Sequence, residues 1–385
     1  MKENISLIIL IILVTACSNH RKSKIIHPSR QNLALGENGH IINAEAKISQ
    51  KKEDDRWFLP VLDSTRQISS IGKLQGDRTE LFGFIGDTAI DSRWRIYLLD
   101  THKQLIGVYN RDGSYITSIG GKGKGPGEFE FARSMANYNN KWLLVNNGYR
   151  IEIYSIELKK IKLLKTVKLD KRTYSICVCA GKLFVHFTGL MNQDNEDEIK
   201  MNKNVNMIQA FALPSFEPLF SFGRAYKSTY PMVVDRLSEG DISCNEASST
   251  VMFTFAHMPV VEGYSAKDGH HKWKTRVDGL HFPEIIQQNK GEQLGALEYT
   301  PPKDIMDRFI PSVTFDGNYE ILQVRRQTFH KDKFGSREEG LTFLLDSVTG
   351  EGSLVSKKLP FIYNASHHLA VTVSDDYITS KIYKF

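Results

Sequence analysis

The sequence is poor in cysteine, with 4 in 385 residues, and one of them, Cys17, sits at the end of the apolar N-terminal run. That leaves Cys177, Cys179 and Cys244, an odd and sparse set that cannot staple a domain of this size. Hydrophobic burial is therefore expected to hold the core, with the three thiols buried and structural. Cys177 and Cys179 are spaced to share one face of a strand. No further Cys or His stands at ligand spacing beside them, so no metal site is read there. Long apolar runs are also lacking: Ile5 to Val14 is too short to cross about 30 Å of hydrocarbon. A phosphate-binding G-x-x-x-x-G-K-[ST] loop, a G-x-S-x-G elbow and a recognisable Ser/His/Asp set are missing too, and no cofactor is expected.

What is present begins with a leader. Lys2 followed by Ile5 to Val14 has the form of a signal-peptide core, ending in Val14-Thr15-Ala16-Cys17. This end resembles the lipobox of bacterial lipoproteins, which implies removal of residues 1–16, acylation of Cys17 and a lipid anchor in the cell envelope, at the outer membrane. Residues 17–55 are polar, without a sustained apolar period, and read as a flexible spacer. Its basic start at Arg21, Lys22 and Lys24 can rest on anionic headgroups, at about 1 kcal/mol per charge.

From residue 56 onward the chain repeats. At an offset of 45 residues, Tyr97, Leu99, Ile106, Val108 and Tyr109 fall on Trp142, Leu144, Ile151, Ile153 and Tyr154, a period typical of propellers. Turn signals recur with it, at Asp112-Gly113, Asp268-Gly269 and Thr349-Gly350. Five strand sets follow between Ala89 and Val355, the third carrying a polar insert, Met191 to Asn204. The connection Phe282 to Phe309 is expected to hold helical turns. Only His368 to Val373 and Tyr377 to Tyr383 remain for a sixth set. Ile68 to Gly72 matches Ile116 to Gly120 at an offset of 48, so it reads as the missing outermost strand, with Trp57 to Leu62 as its neighbour. The expected fold is all-β, a six-bladed β-propeller over residues 56–385 closed by N-terminal strands that complete the C-terminal blade.

The loop Gly120, Gly121, Gly123, Gly125, Pro126, Gly127, Glu128, Phe129 links the first two sets. Together with the lipobox and spacer it resembles the six-bladed β-propeller lipoproteins of Bacteroides-type bacteria, relatives of NHL-repeat and TolB-like propellers, over Trp57 to Phe385. The resemblance implies an envelope location and a role as a binding or scaffold module. Read from its residues, the loop is a turn needing positive φ, with Phe129 plugging between blades, rather than an anion cradle.

Candidate site residues are sparse. A net charge of +6 favours acidic partners, an unknown protein or an anionic glycan, with the membrane engaged through the N-terminal lipid and nucleic acid not expected. His102, Lys103, Lys122, Lys124, Arg150, Lys171, Arg172, Arg224 and Lys227 fall in loops expected on one face, and Lys122, Lys124, Arg172, Arg224 and His257 are the candidate binding face. The histidine pairs His270-His271 and His367-His368 alternate in direction on a regular strand and cannot chelate one ion. Asp91, Asp241, Glu246 and Asp316 lie near expected inner strands in different registers. The main reading is a non-enzymatic binding module. The alternative is a propeller hydrolase or lyase with an axial metal such as calcium, which would need several oxygen ligands converging on the channel.

Overall fold

In a computed structural model of the chain, the residues described are 24–26, 45–48, 65–77, 80–157, 160–188, 205–225, 235–277, 279–282, 284–287, 297–300, 305–329, 336–355 and 358–384. Cys17 with its leader, Trp57 to Leu62, the insert Met191 to Asn204 and Lys227 lie outside them. Six antiparallel sheets form a ring. Blade one is Ile85–Ile90, Ile96–Asp100, Leu105–Tyr109 and Tyr115–Gly120; blade two is Ala132–Tyr138, Trp142–Asn147, Arg150–Ser155 and Lys162–Lys168. Blade three is Arg172–Cys179, Lys182–Thr188, Asn206–Ala212 and Pro218–Arg224, and blade four is Gly240–Asn245, Thr250–Phe255, Val260–Ser265 and His271–Val277. In blade five, Tyr319–Phe329 pairs on its inner side with both Val313–Asp316 and Ile305–Phe309, and Ser336–Asp346 and Gly352–Leu354 follow outward. Blade six is Ile362–Ser366, Leu369–Val373, Ser380–Lys384 and, from the other end of the chain, Arg66–Ile71.

The sequence pattern explains this layering. Second and third strands are covered on both sides by neighbouring blades and read as continuous apolar runs, as in Ile96–Asp100 and Thr250–Phe255, where every residue is buried. Outermost strands are covered on one side and alternate, as in Lys162–Lys168. Side chains on the inner strands, and Gln323 on the second strand of blade five, stitch blade to blade. The Met135 amide donates to Asp87 Oδ2 at 2.6 Å, that of Ile176 to Ser134 Oγ at 3.2 Å and that of Ile242 to Ser175 Oγ at 3.1 Å. Gln323 Oε1 accepts from the Ile362 amide at 2.7 Å, and Asn364 Nδ2 donates to the Thr88 carbonyl at 3.2 Å.

Several expectations need correction. Cys177 and Cys244 form a disulfide between the inner strands of blades three and four, with Cα atoms 5.5 Å apart, and only Cys179 stays free and buried. An odd count hid a pair 67 residues apart in sequence because strand register, which brings them together, is not visible in spacing. The connection after blade four holds strands rather than helical turns: Glu284–Gln287 and Leu297–Thr300 pair with each other, and Ile305–Phe309 joins blade five. Two short strands also lie within the expected spacer. Lys24–Ile26 pairs with Glu284–Gln287, and Glu45–Ile48 pairs in parallel with the outer strand of blade four. Blade six takes its innermost strand from Ile362–Ser366, so it reaches four strands without Trp57 to Leu62.

Candidate binding site at the channel mouth

Antiparallel blades divide their connections between two faces. Turns from first to second strand and from third to fourth lie on one face; connections from second to third, and crossings to the next blade, lie on the other. The cations named from the sequence, where described, all fall on this second face. Inner strands start there, so their first residues form the mouth of the central channel, a cavity of about 1060 Å³.

Asp87, Arg133, Tyr174, Asp241, Arg308, Arg325 and Tyr363 line this mouth. Interblade stitching gives the register: Asp87, Ser134, Ser175 and Asp241 each occupy the same ring position, one residue before Thr88, Met135, Ile176 and Ile242. Burial pushes the Asp87 carboxyl up to about 7, against the amides of Met135 and Thr88 that favour its charged form, and the neighbouring Asp241 pushes in the same direction as burial. Burial likewise raises Asp241, opposed by the charges of Arg133 and Arg308. Burial also raises the Tyr174 and Tyr363 phenols, so both remain neutral donors.

The guanidiniums are braced by rings. Arg133 lies 4.1 Å over Tyr174, and Arg325 lies 4.4 Å from both Phe361 and Tyr377. Tyr377 stacks on Phe84 at 4.1 Å between centroids, while Arg172 lies 4.8 Å over Phe131. Phe84 and Phe131 are 40% and 43% exposed on the rim.

Of the expected binding residues, Arg172 alone lines the channel. Lys122 and Lys124 are exposed on the glycine loop, with Lys124 3.3 Å from Glu130. Arg224 ends the outer strand of blade three, away from the mouth. His257 Nε2 contacts Glu239 at 3.0 Å, which occupies it structurally. The glycine loop is a plug, as its residues imply. Phe129 is fully buried, edge-on to Tyr154, and a Cβ on Gly120 (φ +87°) would fall within 2.1 Å of the Phe129 ring. Its amides are used internally: Phe129 N donates to the Gly121 carbonyl at 2.7 Å, and Gly125 N to Glu128 Oε2 at 2.8 Å.

Several other titratable groups are held by structural contacts. Asp91 pairs with Arg95 at 2.6 Å and accepts from the Tyr97 hydroxyl at 3.0 Å, on the face opposite the mouth. Glu246 accepts from the Ala180 amide at 2.8 Å there too. His186 is fully buried with Nε2 3.1 Å from the Ser238 carbonyl, and burial lowers it to about 4, so it is neutral. His367 and His368 sit at positive φ in a turn, not on a strand as expected for His368. Among the described residues, no group of three or more His, Cys, Asp or Glu is placed to hold a metal ion.

Sequence reasoning missed Asp87, Arg133, Arg308 and Arg325. One signal was available: the dipeptide Gly86-Asp87 recurs as Gly240-Asp241 at equivalent ring positions.

Residues 81–212 match the DUF5128 family, described as a 6-bladed beta-propeller. Among solved structures, the chain is similar to the "Putative exported protein" of Bacteroides fragilis, at 15% identity and a TM-score of 0.53, over 88% of this chain and 98% of that one. It is also similar to a duf4221 family member from Bacteroides vulgatus, at 10% identity and a TM-score of 0.50, over 83% and 99%. A protein of unknown function from Bacteroides thetaiotaomicron matches at 8% identity and a TM-score of 0.50, over 83% and 75%. No curated protein matches by sequence. Identities this low carry the fold and leave activity to the site. The chain is a six-bladed β-propeller that resembles those of Bacteroides proteins, with its DUF5128 match in the first half of the ring.

Proposed function

We propose that this chain is a lipid-anchored envelope protein whose propeller is a binding module, and that its partner is acidic and docks over the channel mouth. The observation that carries this reading is the charge at that mouth. Arg133, Arg308 and Arg325 line the mouth with two carboxyls among the described residues, Asp87 and Asp241, both shifted by burial toward their neutral forms, while Glu246 lines the far end of the channel. Such a set attracts anions and repels a divalent cation, which weighs against an axial metal. Exposed Lys122, Lys124 and Arg172 extend the same field outward on that face and would steer an anionic glycan or an acidic protein surface. Export is supported by the name of the Bacteroides fragilis neighbour, by a disulfide of the sort that persists in oxidising compartments, and by the sequence at Val14 to Cys17.

The test is capture of the native partner from the envelope by the wild type and by a variant with Lys122, Lys124, Arg172 and Arg224 changed to Glu. Capture should be abolished at nearly unchanged Tm, because exposed charges contribute little to stability. It should also weaken as salt shortens the Debye length from about 8 Å at physiological ionic strength. Undiminished capture by the variant would reject an acidic partner on this face.

A further inference from the structure

Several arginines elsewhere in the molecule are joined directly to a carboxylate. Arg95 meets Asp91 at 2.6 Å, Arg326 meets Asp307 at 2.7 Å and Arg150 meets Glu152 at 2.9 Å. Arg133 and Arg308, by contrast, act on Asp241 through their field, and among the described residues the Asp241 side chain makes no hydrogen bond. Two guanidiniums and a carboxylate are thus held in one cavity, near enough to influence each other, without being joined. A group that bridges them would carry an anion for the arginines and a hydrogen-bond donor for the carboxylate.

We propose that the channel mouth binds a uronate-type acidic oligosaccharide, with Arg133 and Arg308 taking a sugar carboxylate and Asp241 accepting from a sugar hydroxyl. This deepens the reading of an acidic partner and rests on it. Guanidiniums match the planar carboxylate through paired N–H donors. Phe84 and Phe131, with one face covered by Tyr377 and Arg172 respectively, are still partly exposed on the rim and can meet the C–H faces of sugar rings with the remaining surface. Tyr174 adds a neutral hydroxyl that can donate. An acidic peptide supplies carboxylates but not the neighbouring hydroxyls that Asp241 would engage. The channel, about 1060 Å³ over its full length from the mouth to Glu246 and His367, slightly exceeds the usual range for ligand pockets, roughly 300–1,000 Å³, and leaves room for more than one sugar unit.

The experiment is calorimetric titration of the full chain with trigalacturonic acid, its methyl ester, a sugar phosphate and a Glu-rich peptide. Trigalacturonic acid should bind and its ester should bind about tenfold weaker or worse, as expected when a charged hydrogen bond is lost. Arg133→Ala and Arg308→Ala should each reproduce that loss with Tm unchanged. Asp241→Ser introduces the side chain found at the same ring position in blades two and three, so it should fold and still bind several-fold more weakly. Equal binding of acid and ester, tighter binding of the phosphate or the peptide, or indifference to both arginine variants would overturn the proposal. If trigalacturonic acid fails to bind while wild-type protein still captures its partner and the Lys122/Lys124/Arg172/Arg224 variant does not, the oligosaccharide is wrong and the acidic-partner reading stands. If both capture and titration are indifferent to charge, both fail.

Discussion

Ile71 pairs with Ser380 in antiparallel register, joining a segment near the start of the chain to the last strand in one sheet. Ile71 is buried in a cluster with Leu369, Val371 and Ile382 of blade six and Ile96, Leu98 and Tyr109 of blade one, so this pairing seals the contact between the last blade and the first. Ring closure is non-covalent, made by backbone hydrogen bonds and apolar packing.

Deleting residues 1–50 should therefore leave a folded propeller with modest loss, since among the described residues it removes only the two short added strands Lys24–Ile26 and Glu45–Ile48. Deleting through Gly72 should strip the outer strand of blade six and expose the edge of Ser380–Lys384, giving aggregation and a much lower Tm. Equal melting of the two truncations by calorimetry would show that Arg66–Ile71 does not close the ring.

Replacing Cys177 and Cys244 with Ser should destabilise the domain by about 4 kcal/mol in the chain-entropy model, given the 67-residue separation they span. Denaturant titration of the oxidised wild type against the double variant measures this. A midpoint that does not move would mean that the bond is not formed in the native protein.

Glu320 is fully buried, accepting from Asn245 Nδ2 at 2.9 Å and Thr314 Oγ1 at 2.6 Å, and burial pushes it from 4.5 up to about 7. With the folded value above the unfolded one, its contribution to stability is fully present below about 4.5 and is lost as pH rises through about 7. Glu320→Gln keeps the accepting oxygen and removes the charge, so it should raise Tm at pH 8 by a few degrees, at about 2–4 °C per kcal/mol, and leave it nearly unchanged at pH 4. A destabilised variant at pH 8 would contradict this assignment.

Cys17→Ser should abolish acylation and release the protein from the membrane fraction. Fractionation with mass spectrometry of the wild-type N-terminus decides it: an unmodified Cys17 in a protein that still sediments with membranes would exclude a lipid anchor there.

The scaffold was legible in the sequence where residues carry their own geometric demand. Asp112-Gly113, Asp268-Gly269 and Thr349-Gly350 announce hairpins because a positive φ is needed, and each glycine has one, at +88°, +77° and +76°. The closing strand announced itself through the likeness of Ile68 to Gly72 to the outer strand of blade one. Three inner strands did not: Ala132–Tyr138, Gly240–Asn245 and Ile362–Ser366 went unseen because they line the channel, so Ser, Asn and Asp replace the apolar alternation that marks other strands. For the same reason the mouth was hidden. Arg133 and Arg308 are 175 positions apart and meet only once the ring is closed and the register fixed.

The uneven lengths of the connections on the two faces have a consequence for how such a protein can diversify. On the face away from the mouth, no described connection within a blade exceeds the six residues between Ser155 and Lys162. Gly269 and Gly350 there press against Phe222 and Trp273 of the preceding blades, so a longer hairpin would pry adjacent blades apart. The strand ends that the long connections join, Thr188 and Asn206, Arg224 and Gly240, and Val277 and Val313, all lie on the mouth side. Insertions and substitutions can accumulate there without touching the contacts that close the ring, which lets recognition change between relatives while the scaffold stays constant.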